Sequence, residues 1–99
     1  MDRFFQILGL AMRARKVTSG EELVLRELRT GRLHLVVMTV DAAKNTEKKI
    51  LDKCKSYDVQ VLRYGTREEL GRAIGKSERV VLGINDVGFA RMIKSSFSN

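Results

Sequence analysis

Apolar residues near the start of the chain recur three and four positions apart. Phe4, Phe5, Ile7, Leu8, Ala11 and Met12 form one stripe, with Asp2 ahead of it as a cap. The spacing predicts a helix from Asp2 to about Arg13, packed on a core. A short link, Arg15 to Thr18, leads to Ser19-Gly20-Glu21-Glu22, where Ser19 with Glu22 reads as a capping box. The helix it opens runs to about Thr30, buries Val24, Leu25 and Leu28, and stops at Gly31. From Leu33 to Val40 the pattern becomes almost continuously apolar, which suits a strand covered on both faces.

The second half repeats the alternation. Asn45 or Thr46 opens a helix with Ile50, Leu51, Cys54 and Tyr57 inward and Lys48, Lys49, Lys53 and Lys55 outward. A strand follows at Val59 to Tyr64. Thr66-Arg67-Glu68-Glu69 is another capping box, for a short helix through Leu70, Ala73 and Ile74 that ends at Gly75. Arg79 to Ile84 reads as a strand, and Asn85-Asp86 cap a last helix with Phe89, Ala90, Ile93 and Phe97 inward. Helices alternate with strands, and no proline or Gly/Ser-rich linker interrupts them. This order predicts an α/β chain, a three-layer α/β/α sandwich around a small, mostly parallel or mixed four-stranded sheet, with residues 1–99 as a single domain.

Composition narrows the function. The chain has 99 residues, 43% apolar, with 19 Lys and Arg against 12 Asp and Glu, a formal net charge of +7. It is long enough for one modest core and too short for two. A small domain this basic attracts polyanions, nucleic acid first among them. No apolar run reaches the roughly 18 residues of a membrane span, and Met1-Asp2-Arg3-Phe4 lacks the basic leader of a signal peptide, so a cytoplasmic protein is expected. One Cys and one His cannot build a disulfide or a structural zinc site, so no metal and no cofactor are expected.

Enzyme chemistry finds little support. Gly71-Arg72-Ala73-Ile74-Gly75-Lys76-Ser77 has the Gly-Lys-Ser of a phosphate-binding loop, but three residues rather than four separate its glycines, and it follows a helix where that motif must follow a strand. Lys76 is better read as a cation in an exposed loop. Cys54 falls on an inward stripe and His34 within a strand, both in structural positions, while Asp41, Asp58 and Asp86 sit where turns and caps explain them. The cations are more informative. Arg13, Arg15 and Lys16 precede the helix that opens after Ser19, which predicts three positive charges beside a helix N-terminus, a combination suited to phosphates. On that helix Leu23, Arg26 and Arg29 form a ridge away from the core stripe; alternatively Leu23 extends the core face and the arginines pair with Glu22 and Glu27 in solvent.

At these residues the chain resembles a known family. Leu8-Gly9-Leu10-Ala11-Met12-Arg13-Ala14-Arg15-Lys16, Ser19-Gly20-Glu21-Glu22-Leu23-Val24, Leu35-Val36-Val37-Met38-Thr39-Val40-Asp41-Ala42 and Glu69-Leu70-Gly71-Arg72-Ala73-Ile74-Gly75-Lys76 are similar to the kink-turn RNA-binding ribosomal proteins of the L-seven-Ae type, most closely their small bacterial YlxQ-type branch. The resemblance implies an α/β/α sandwich that binds a sharply bent internal loop with G·A pairs and a flipped-out base. In that family the contact helix begins Gly-x-Asn-Glu with a Lys three residues later. Gly20 matches the Gly and Arg26 replaces the Lys, whereas Glu22 stands for the Asn and Leu23 for the Glu. Glu22 can accept from a guanine edge but lacks the amide's donor. The loop that covers the flipped base is polar here, Gly75-Lys76-Ser77-Glu78-Arg79, and with Phe4, Phe5, Phe89 and Phe97 on helical stripes only Tyr57 and Tyr64 are left as candidates for stacking.

The expected protein is therefore a non-enzymatic, monomeric binder of structured RNA, with ribosomal RNA among the candidates. Its expected contacts are Arg15, Lys16, Gly20, Glu21, Glu22, Arg26, Lys76 and Arg79. The competing expectation is a protein-interaction or scaffold module that docks through Leu23, its basic charge incidental.

Overall fold

The computed structural model describes residues 2–98, in the order α1 (Arg3–Arg13), β1 (Val17–Ser19), α2 (Glu21–Arg29), β2 (Leu35–Met38), α3 (Lys44–Ser56), β3 (Val61–Arg63), α4 (Arg67–Ala73), β4 (Val81–Ile84) and α5 (Val87–Ser98). Local signals account for several of these ends. The Asp2 carboxylate accepts the Phe5 N–H at 2.9 Å and caps α1. Thr66 and Glu69 form the reciprocal capping box of α4. After α2 and α4 the chain turns through Gly31 and Gly75, both at positive φ.

Ser19 does not cap α2. The link before that helix is itself a strand, β1, whose three residues are too few to show an alternating pattern and whose partner lies far away in sequence: Val17, Thr18 and Ser19 pair antiparallel with Ile84, Gly83 and Leu82. The sheet order is β1-β4-β2-β3. Strand β4 runs antiparallel to both β1 and β2, and β2 pairs with β3 in parallel, so the sheet is mixed.

Alternation along the strands sorts the core into two layers. Leu35, Val37, Leu62, Leu82 and Ile84 face α1, α4 and α5, where they meet Phe4, Phe5, Ile7, Leu8, Leu70, Ala90 and Ile93. Val36, Met38 and Val81 face α2 and α3, against Val24, Leu28, Ile50 and Cys54. Each such side chain contributes about 1.5–3 kcal/mol by leaving water, so slipping a strand by one residue is prohibitive. Helix α3 buries less than its stripe predicts: Ile50 and Cys54 are covered, whereas Leu51 and Tyr57 flank that line and remain exposed, as does Phe97 on α5.

The topology has one functional consequence. Strands β1, β2 and β3 all run the same way, so the chain leaves them at one edge of the sheet, and α2, α3 and α4 begin there. Strand β4 starts at that edge and ends at the opposite one, where α5 begins.

Candidate nucleic-acid interface

At the edge where three helices start, the chain passes from β1 into α2 through Gly20, with φ +101° and ψ 153°. An L side chain rarely adopts that φ, and open space lies where a Cβ would stand, so the glycine both permits the turn and leaves the backbone bare. Its N–H donates to Val81 O at 3.0 Å, which ties the turn to β4. No side chain caps α2. The first-turn amides thus point out of the fold at the positive end of the helix dipole, a geometry that accepts an anionic oxygen.

The loop between α4 and β4 lies against this helix start. Arg79 Nε donates to Ser19 Oγ at 2.9 Å, and its Nη1 donates to Glu78 O at 2.7 Å and Ser77 Oγ at 3.2 Å. Three oxygens therefore fix the guanidinium plane beside Gly20. The loop folds back on α4 because Gly71 leaves it room: a Cβ there would stand 1.7 Å from Ser77 O. Lys76 N–H donates to Gly71 O at 2.9 Å and Arg79 N–H to Arg67 O at 3.1 Å, and Lys76 stays exposed.

Around this centre, three carboxylates are matched with cations from other elements, whereas among the described residues Glu22 and Glu68, in the first turns of α2 and α4, stay exposed without one. Glu21 accepts from Lys49 Nζ and from Thr46 Oγ1, each at 2.8 Å, which locks α2 to α3. The Lys49 hydrogen bond first, then that of Thr46, holds the Glu21 carboxyl below its ordinary pKa. Glu47 pairs with Arg63, and Asp41 with Arg67 at 3.5 Å. Glu21 is therefore committed inside the protein, as an organiser of the helix start.

Of the other expected contacts, Glu22, Arg26 and Arg29 line one surface cleft of about 230 Å³ with Leu25, and Leu23 is 44% exposed beside it. Lys76 sits past the C-terminal end of α4, next to Gly75, which lines a cleft with Met12 and Arg13 of α1, whereas Gly20, Glu22, Arg26 and Arg79 belong to the α2 side of the molecule. Arg15 and Lys16 do not. The extended β1 separates them from Gly20 by about 13 Å of backbone at roughly 3.3 Å per residue, and they stand at the edge where β4 ends, with Asn85 N–H donating to Lys16 O at 3.0 Å. The expected cluster of Arg13, Arg15 and Lys16 beside the α2 start is corrected accordingly: a strand replaces the short link.

Tyr64 is not available for stacking, since its ring packs 4.2 Å from Phe4 and 5.2 Å from Phe5. His34 is exposed and precedes β2, and Cys54 is buried. Sequence reading missed Ser19 as the anchor of Arg79, the bracing residues Thr46 and Lys49, and Gly71. A glycine inside a helix, which costs about 1 kcal/mol against alanine, was the signal of a close backbone approach. The bracing pairs left no local signal. Among the described residues no helix is long and apolar enough to cross a membrane.

Comparisons with known proteins agree with this architecture. The chain is 51% identical over 92 residues to RNA-binding protein YlxQ of Bacillus subtilis (strain 168), an alignment covering 93% of this chain and 92% of that one. It is 41% identical over 58 residues to the large ribosomal subunit protein eL30 of Archaeoglobus fulgidus, covering 58% of this chain and 63% of that one. Among solved structures, a Bacillus halodurans protein described as of unknown function superposes with a TM-score of 0.97 at 44% identity, covering 100% of both chains. The Giardia lamblia 15.5kD RNA binding protein superposes with a TM-score of 0.80 at 18% identity, covering 95% of this chain and 81% of that one, which is a likeness of fold. Residues 2–94 match the profile of the Ribosomal protein L7Ae/L30e/S12e/Gadd45 family, and the chain belongs to that family.

Proposed function

We propose that this protein binds structured RNA, ribosomal RNA among the candidates, as a monomer and without catalysing a reaction, and that it grips a kink-turn-like internal loop with the start of α2 and the loop that carries Arg79. The observation that carries this reading is the bond from Arg79 to Ser19, which brings the loop against an uncapped helix start 60 positions earlier in the chain. The name of the Bacillus subtilis relative and the ribosomal relative support it.

The chemistry of the edge fits that ligand. A phosphate approaching Gly20 meets bare backbone and the α2 amides, with Arg79 on one side and Arg26 one turn up the helix. Glu22 accepts from a guanine N1/N2 edge, and Leu23 covers a base where the wider family has a polar reader. Charge sets the affinity, and the fixed cleft sets which RNA shape is accepted.

The test is fluorescence anisotropy with two labelled hairpins, one carrying a kink-turn internal loop with tandem G·A pairs and one fully paired. If four or five phosphates are neutralised, affinity for the kinked hairpin falls roughly 60- to 500-fold between 50 and 200 mM salt. Arg26→Glu weakens it about tenfold or more, and Lys94→Glu on α5 leaves it within about threefold. Equal affinity for both hairpins, or no salt response, overturns the reading, and a salt-insensitive protein partner lost with Leu23→Ser establishes the interaction-module alternative.

A further inference from the structure

At the edge just described Lys49, Arg63 and Arg67 are each bound to a carboxylate, whereas among the described residues Arg26 and Arg79 have none. The opposite edge, where β4 ends, gathers unmatched cations from two segments, the α1–β1 link and α5, with His34 ahead of β2 beside them. Lys16 O and Ile84 O accept the N–H groups of Asn85 and His34 at 3.0 and 2.8 Å, so Lys16 and His34 flank the end of β4 on its two sides. Two strand spacings separate them, about 10 Å. Arg15 precedes Lys16 in a left-handed conformation, φ +63°, which directs the chain out at this corner. On α5, Arg91 and Lys94 line a cleft of about 240 Å³ together with His34, Val87 and Ala90.

The acids nearby are engaged. Glu27 accepts from Thr18 Oγ1 at 3.4 Å and pairs with Arg32 at 4.0 Å, and Asp86 caps α5 by accepting the Phe89 N–H at 2.9 Å. Among the described residues Arg15, Lys16, Arg91 and Lys94 have no carboxylate within ion-pair distance. These charges spread over separate segments and do not converge on one point, which suits a row of phosphates better than a small anion. No Phe, Tyr or Trp lines the cleft, as recognition of single-stranded bases by stacking requires.

We propose that this edge is a second RNA-binding surface, specific for the phosphate backbone of a duplex and indifferent to its sequence, so that one protein bridges two helical segments from opposite ends. The inference rests on the RNA-binding reading above but uses none of the same side chains. The two surfaces face away from each other on a body whose extents are 31 × 27 × 24 Å. They can therefore be filled together, joining RNA helices across the width of the protein.

The test separates the two surfaces. A biotinylated kink-turn hairpin is immobilised and loaded with protein, and a labelled 20-base-pair RNA duplex without internal loops is added; the same duplex is also titrated with free protein. The wild type is expected to capture the duplex on the loaded hairpin. R91E/K94E, whose changes lie at exposed or half-exposed positions, is expected to keep its preference for the kink-turn hairpin over the fully paired one while its affinity for the duplex falls at least tenfold in both formats. Arg26→Glu should leave the free duplex titration unchanged. Undiminished duplex binding by R91E/K94E overturns the inference, as does retention on phosphatidylserine vesicles without retention of duplex. A wild-type protein that fails on the hairpin but loses duplex affinity through R91E/K94E refutes the kink-turn reading and leaves this surface standing.

Discussion

Gly71→Ala is the most direct perturbation of the interface, because it acts through backbone and touches no candidate contact. The new Cβ would meet Ser77 O at 1.7 Å, Ser77 C at 2.6 Å and Glu78 Cα at 3.1 Å. Ordinary contact begins near 3.4 Å, so the loop backbone must retreat by about 1.7 Å. That movement breaks the bonds from Lys76 N–H to Gly71 O and from Arg79 N–H to Arg67 O and pulls Arg79 away from Ser19. Three hydrogen bonds at about 1 kcal/mol each give a loss of roughly 3 kcal/mol. Alanine returns about 1 kcal/mol through its better helix propensity. The net is about 2 kcal/mol, a fall in Tm of roughly 8–16 °C for a domain this size. Calorimetry measures the Tm, and anisotropy on the kink-turn hairpin measures binding well below it, where the folded fraction is intact. The reasoning requires both Tm and affinity to fall. A Tm that rises, as helix propensity alone dictates, would show that the loop does not press on α4.

Three further outcomes follow from the same contacts. Ser19→Ala leaves Arg79 Nε without its acceptor, so hairpin Kd should rise about tenfold or more, in line with a charge-assisted bond worth about 1.5–3 kcal/mol, with Tm falling by several degrees; an unchanged Kd means the loop is held by other contacts. Lys49 and Thr46 hold the Glu21 carboxyl below its ordinary value of 4.5, so its contribution to stability is present above that pH and is lost as pH falls through the lowered value. Glu21→Gln should therefore lower Tm at pH 7, with the deficit shrinking at strongly acidic pH; a deficit constant with pH contradicts the ionic origin. Burial pushes the Cys54 thiol up to about 11, so Ellman's reagent at pH 8 should react only after unfolding in guanidinium, and rapid native reaction contradicts the burial.

The sequence disclosed what is local. Asp2 and Thr66 act as the caps their spacing announces, Gly31 and Gly75 end their helices, and the apolar run from Leu35 to Met38 is buried on both faces. It misled at Ser19-Gly20-Glu21-Glu22, which carries every local mark of a capping box. There a three-residue strand, defined by partners more than 60 positions away, claims Ser19, and the guanidinium of Arg79 claims its hydroxyl. The same strand moves Arg15 and Lys16 to the far edge. Gly20, Glu22 and Arg26 could be placed from their own neighbourhood, but that the loop of Arg79 meets them could not, because sheet order is decided by long-range pairing.

The way charge is distributed over the two edges argues for a division of labour between holding shape and supplying attraction. At the edge where α2, α3 and α4 begin, acids in or near their first turns would weaken the pull of the helix dipoles on a phosphate. Glu21, Glu47 and Asp41 are nevertheless each bound to a cation from another element, and the three pairs tie α2 to α3, α3 to β3, and the β2–α3 loop to α4. An exposed pair of this kind contributes at most about 1 kcal/mol to stability, so three of them are poorly explained as stabilising devices. As positioning devices they make sense, since each holds a helix start against a neighbouring element and neutralises a carboxylate that would repel RNA. Under the proposed function, Arg26 and the α2 amides are left to face RNA from a rigid frame, and the Arg79 guanidinium is held in one plane. On that proposal, such an edge would select a bent RNA by fit while attracting it modestly. The unmatched cations of the opposite edge can pull on any phosphate backbone within about 10 Å at roughly 0.1 M salt but cannot discriminate among them. Raising salt should therefore abolish duplex capture before it abolishes binding of the kinked hairpin, and loss of both at the same concentration would mean that the ionic frame confers no selectivity.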